Sequence, residues 1–87
     1  MYAIIVYDVA QERVSKVCQF LRRYLNWVQN SVFEGEITEG QLRAIKIGIG
    51  KIIDEEYDCI LIYRVESKKW LNKEVMGIEK REVTNIL

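Results

Sequence analysis

The chain has 87 residues, no histidine, no proline and two cysteines, and its 13 Lys and Arg balance 13 Asp and Glu to a formal net charge of zero. This length allows one domain, residues 1–87; the neutral balance does not advertise a nucleic-acid binder, and the missing histidine removes most general acid–base and nucleophilic schemes. The charge is uneven, however: residues 1–30 and 59–87 each carry a net +2 and residues 31–58 carry −4, which permits a local basic patch.

Residues 2–7, Tyr-Ala-Ile-Ile-Val-Tyr, form a β-branched and aromatic run that predicts a strand. Its lack of alternation predicts burial on both faces. Val14, Val17, Cys18, Leu21, Tyr24 and Leu25 recur at three- and four-residue spacing, an amphipathic helix over residues 11–25. Residues 27–37 are strand-like again, with Asn30-Ser31 as the turn between two short antiparallel strands. Thr38 and Gln41 have capping-box spacing, opening a helix with Leu42, Ile45, Ile49, Ile52 and Ile53 on one face. Gly48 and Gly50 inside it imply either close packing or a poorly formed second half. After an acidic connection (Asp54, Glu55, Glu56, Asp58), residues 59–63 read as a last strand, apolar on both faces. Residues 73–80 hold one more short strand around Val75-Met76-Gly77-Ile78, followed by a tail with apolar ends.

Strand, helix, strand, strand, helix, strand is the split βαβ order, so the expected architecture is α+β, a ferredoxin-like βαββαβ sandwich with an additional C-terminal strand or tail. Two helices cover one face of its sheet. The aliphatic second face then needs a cover, and a second copy of the chain is the simplest one. Residues 67–87 are expected to pack on that partner subunit. Cys18 and Cys59 lie in apolar stretches without disulfide-framework or metal-ligand spacing and read as two reduced, buried thiols. The strand-like run starts directly at the first residues, with no basic leader and no apolar run long enough to cross a bilayer, so the expected location is cytoplasmic and no membrane partner is expected.

Phosphate-loop and dinucleotide glycine motifs are missing. Carboxylate chemistry through a hard cation such as Mg²⁺ remains. Asp8, at the carboxyl end of the first strand, is the foremost candidate; as a helix cap it would need no catalytic role. Two copies of Asp8 facing across a dimer axis would share one cation, which would offset their repulsion. Phe33 and Trp27 read either as nucleobase platforms or as core. Arg13, Lys16, Arg22 and Arg23 read either as phosphate contacts or as a solvated helix face.

Three segments carry a resemblance to a known family. Tyr2-Ala3-Ile4-Ile5-Val6-Tyr7-Asp8-Val9 resembles the first strand and aspartate of the CRISPR-associated Cas-two family. Trp27-Val28-Gln29-Asn30-Ser31-Val32-Phe33-Glu34-Gly35-Glu36 is similar to that family's most specific segment, and Gly77-Ile78-Glu79-Lys80 to its C-terminal stretch. The resemblance implies a ferredoxin-like homodimer with facing sheets. It also implies metal-dependent phosphodiester cleavage of RNA or double-stranded DNA, with Asp8 as catalytic residue and ligand of Mg²⁺ (or Mn²⁺). A scaffolding role in spacer acquisition, bridging copies of the Cas-one integrase, is implied as well. Asp8 and Phe33 match family positions, whereas Arg13, Lys16 and Arg23 are candidates for nucleic-acid contact on charge alone. The competing expectations are a non-catalytic adaptor in the integrase complex and an RNA-recognition or ligand-sensing module; the aliphatic second face argues against the module.

Overall fold

The computed structural model describes residues 1–80, and its framework is a four-stranded antiparallel sheet in the order β2-β3-β1-β4. The strands are β1 (Tyr2–Asp8), β2 (Asn26–Gln29), β3 (Val32–Glu36) and β4 (Cys59–Val65); α1 (Gln11–Leu21) follows β1 and α2 (Glu39–Gly50) follows β3. This is the expected βαββαβ arrangement, with β1 central.

Alternation along β1 decides what lies where. Ala3, Ile5 and Tyr7 point to the helix side and are buried with Phe33 of β3, Val17 and Leu21 of α1, and Leu42, Ile45 and Ile49 of α2. On the opposite face Ile4 and Val6 are half-buried and Asp8 is exposed. Register continues that face onto β4, where Ile4 pairs with Tyr63, Val6 with Leu61 and Asp8 with Cys59. Leu61 and Tyr63 are 47% and 56% exposed. The expectation that both faces carry apolar side chains therefore holds, while burial on both faces does not hold within one chain.

Local signals account for most boundaries. Thr38 and Gln41 form the reciprocal cap: Gln41 N–H donates to Thr38 Oγ1 at 3.0 Å, and Thr38 N–H to Gln41 Oε1 at 2.9 Å. Asn30 turns the β2–β3 hairpin with φ 41°, a region that asparagine tolerates better than most residues; its carbonyl accepts the Trp27 indole N–H at 3.0 Å. Helix α1 ends at Leu21, four residues before the expected end, because residues 22–25 tighten into turns whose amides return to Cys18, Phe20 and Leu21. Leu25 still joins the core, lying against the spot where Gly35 has no side chain. Gly48 is explained by close packing: a Cβ there would sit 2.0 Å from Cζ of Phe20. At Gly50 a Cβ would meet nothing within 4 Å, so no packing requirement explains that residue.

Within the single chain, the segment around Val75-Met76-Gly77-Ile78, expected to pack on a partner subunit, forms no strand. After a 3₁₀ turn at Lys68–Trp70 the described chain runs on without a ladder partner, and a strand without one is not stable. Met76 and Ile78 are 97% and 92% exposed. Lys73 fastens this segment through ion pairs to Glu34 and Glu79 at 3.1 and 3.0 Å. The tail expected at 81–87 lies outside the described residues.

Candidate active site at the end of the first strand

Asp8 closes β1 with its side chain on the helix-free face of the sheet. It is not a helix cap. The N-cap of α1 is Ala10, which has no capping side chain, and no hydrogen bond or ion pair to the Asp8 carboxylate is found among the described residues. The capping alternative falls, leaving an exposed oxygen donor free to meet a ligand.

The work of anchoring the start of α1 belongs to Asp58. Its side chain is fully buried. Its Oδ1 accepts the Ala10 N–H at 2.9 Å and Arg13 Nη2 at 3.1 Å; its Oδ2 accepts Arg13 Nε at 2.6 Å and the Asp54 N–H at 2.8 Å. The Arg13 hydrogen bonds, helped by the two backbone amides and opposed by burial, hold the carboxyl well below the usual carboxylate range. Asp58 thereby ties the β1–α1 connection to the α2–β4 connection. Sequence reading registered it only as part of an acidic run, since its partner Arg13 lies 45 positions away.

Several expectations change accordingly. Arg13 was a candidate for nucleic-acid contact; its guanidinium is instead engaged by Asp58, with one further contact to Glu12 at 3.5 Å. Phe33 is corrected from nucleobase platform to core, because no part of it reaches solvent and its ring packs against Tyr7 with centroids 6.1 Å apart. Trp27 is half-buried against the same core. Lys16 on α1 and Arg23 just beyond it are exposed, Arg23 lying 5.8 Å from the Phe20 ring centroid. Cys18 is half-buried, sharing a 2.8 Å hydrogen bond with the Tyr7 hydroxyl. Burial, reinforced by that contact, pushes the Tyr7 phenol up, so it stays protonated. Cys59 was expected to be buried and is exposed, directly opposite Asp8 in the ladder.

Whether these residues fit a metal ion follows from the donor set. Among the described residues no group of three His, Cys, Asp or Glu side chains is placed to hold one. One exposed carboxylate suits a largely hydrated Mg²⁺, which keeps several waters and binds through one or two carboxylates together with substrate phosphates. It does not make a closed cage. A second copy of Asp8 would double the donor set.

The surface beside Asp8 is apolar. Val6, Val32 and Leu61 lie on the same face. Toward the other end of the sheet the chain covers itself: Tyr2 is buried, Lys68 Nζ sits 5.7 Å from its ring centroid, and Lys73 reaches Glu34. Among the described residues, the part of the face left uncovered is the part that carries Asp8. No helix among the described residues is long and apolar enough to cross a membrane.

Comparison with known proteins agrees with the architecture. Residues 1–73 match the model of the family described as CRISPR associated protein Cas2. The CRISPR-associated endoribonuclease Cas2 of Thermococcus kodakarensis is 51% identical over 87 residues, covering all of both chains, and that of Pyrococcus furiosus is 52% identical with the same coverage. A crystal structure of a Cas2 protein superposes with a TM-score of 0.85 at 42% identity, covering 100% of this chain and 98% of the other.

Proposed function

Because the chain belongs to the CRISPR associated protein Cas2 family, we propose that it acts in the cytoplasm as a homodimeric endonuclease, cleaving RNA or double-stranded DNA with Mg²⁺ or Mn²⁺ at paired Asp8 carboxylates, and that it serves spacer acquisition alongside the Cas-one integrase. The observation that carries this reading is Asp8 itself, exposed at the apolar end of the sheet and without a hydrogen-bond or ion-pair partner among the described residues. The names of the T. kodakarensis and P. furiosus relatives support an endoribonuclease.

The residues divide the task in a simple way. Val6, Val32 and Leu61 supply apolar surface through which two copies associate, and a two-fold axis repeats any residue near it. That repetition is what gives a site with one carboxylate per chain a second ligand. Lys16 and Arg23 are exposed cations for the phosphate backbone, and such contacts make binding weaken steeply with salt. When bound, a hard cation supplies Lewis-acid polarisation of the scissile phosphate. With no histidine in the chain and no metal-binding cluster of three acidic or thiol side chains among the described residues, proton transfer falls to solvent and turnover is slow.

A second reading, a non-catalytic adaptor for DNA and the integrase, is favoured by one observation: the described residues of one chain offer no closed metal site. Cleavage of labelled RNA and duplex DNA with Mg²⁺, with EDTA and by Asp8→Asn separates the two. Loss of cleavage in both controls, with the dimer intact, supports the nuclease. Cleavage retained by Asp8→Asn places the chemistry elsewhere, and no cleavage by a verified wild-type dimer supports the adaptor.

A further inference from the structure

Asp8 has the requirement of a ligand and lacks the usual means of meeting it. A metal-binding or reacting carboxylate is normally oriented by hydrogen bonds from its neighbours, and the Asp8 side chain has none among the described residues. Its direction must then be set by the backbone that carries it. On one side β1 is held up to its last residues, with Tyr7 N–H donating to the Ser31 carbonyl at 3.0 Å. On the other side Asp8 pairs with Cys59. Beyond Asp8 the ladder ends, and the next fixed point is Ala10, whose N–H donates to Asp58, the residue immediately before Cys59. Asp58 is in turn gripped by Arg13, in the first turn of α1.

We infer that the part-buried Arg13–Asp58 pair is a positioning device for Asp8, fixing the 8–10 segment and so holding the Asp8 carboxylate where a cation bridged to substrate can use it. This rests on the reading of Asp8 as the reactive-site carboxylate. It assigns to Arg13 a role other than contact with nucleic acid, and to Asp58 a role that needs no contact with substrate. The geometry explains why both groups are charged: a carboxylate that accepts two backbone amides and both prongs of a guanidinium joins two chain segments at one point, which no apolar pair of equal size would do.

The test uses the full chain with Mn²⁺ as a paramagnetic probe. Asp58→Asn, Arg13→Gln and Arg13→Lys are compared with wild type by amide exchange at Ala10, by the Mn²⁺ concentration that half-broadens the signals of Asp8, and by kcat and KM for RNA cleavage. In Asp58→Asn and Arg13→Gln, Ala10 exchange is expected to accelerate. The Mn²⁺ midpoint should rise or kcat fall by roughly 10- to 100-fold, the usual cost of losing an orienting partner, with KM for RNA little changed. Arg13→Lys keeps the charge without the fork and should fall between. If Asp58→Asn does not fold, Arg13→Gln carries the comparison. A midpoint and kcat within twofold of wild type in a folded variant, whatever its melting temperature, overturns the positioning role. No Mn²⁺ effect at Asp8 in the wild type overturns the Asp8 reading itself, and the inference with it.

Discussion

Leu61 offers the sharpest test of how the site is assembled. It stands on the helix-free face opposite Val6, two residues from the Asp8–Cys59 pair, and is 47% exposed in one chain. Completing the burial of about half a leucine side chain contributes about 1 kcal/mol by area transfer. A two-fold interface counts it twice, so Leu61→Ala should cost about 2 kcal/mol and weaken dimerisation about 30-fold. Leu61→Glu adds the desolvation of one carboxylate per copy, several kcal/mol more, enough to leave only monomer at micromolar protein. Folding of the single chain should change less than dimerisation, since about half of the side chain is still exposed there. Sedimentation equilibrium over a range of concentrations reads the association, and circular dichroism confirms the fold. A Leu61→Glu protein that dimerises with the wild-type Kd would refute the placement of the interface, and with it the argument that two Asp8 carboxylates share one site.

Four further outcomes follow from packing and charge. Gly48→Ala forces the Phe20 ring away from a Cβ that would otherwise lie 2.0 Å from it; overpacking should outweigh the gain in helix propensity and leave a net loss of about 1 kcal/mol. Gly50→Ala, with open space around its Cβ, should stabilise by about 0.5–1 kcal/mol, and urea titration of both variants tests the contrast. Phe33→Ala empties a fully buried site and should cost about 3–5 kcal/mol in the same assay. Asp58 titrates lower folded than unfolded, so the unfolded chain binds more protons just below the ordinary carboxylate range. Its contribution is therefore complete above about pH 5 and is lost progressively as pH falls through and below the ordinary carboxylate range; Asp58→Asn should flatten the acid limb of a stability–pH curve, and an unchanged limb would contradict the assignment.

The framework was legible because each element announced itself within a few residues. The Thr38–Gln41 cap, the Asn30 turn and the apolar spacing of Val17, Leu21, Leu42, Ile45 and Ile49 are all local patterns, and all reappear in the structure. What escaped was set at longer range. Helix α1 stops at Leu21 although Tyr24 and Leu25 keep the helical spacing, because a turn delivers Leu25 onto Gly35 just as well. The strand expected at 75–78 has the right composition, but a strand is a relation between two segments, and the second was expected from a partner subunit rather than from this chain. Cys59 misled for a related reason: it sits in an apolar run, yet at the end of β4 its face of the sheet is open.

At the site, the sequence pointed to the residue with the most ordinary structure and passed over the one with the least. Asp8 was visible as an acid ending a strand, and its exposed, uncapped carboxylate is what a ligand-binding role requires. Asp58 looked like one acid among four, and only the tertiary fold reveals it as a buried charge with four donors. The same fold explains why Arg13 misled, since a cation on the polar side of a helix looks alike whether it faces solvent or a buried partner. The two acids also answer different physical problems. A charge buried in one chain must be satisfied within that chain, and Asp58 is. A charge left exposed beside an apolar face has no such obligation, and covering that face with a second copy would bring two such charges close together. Their repulsion would then be relieved by a cation or by proton uptake. Dimerisation and metal binding at Asp8 are on this account linked equilibria, so added Mg²⁺ should tighten the wild-type dimer and leave the Asp8→Asn dimer unaffected; equal Mg²⁺ sensitivity of the two in sedimentation would separate the site from the interface.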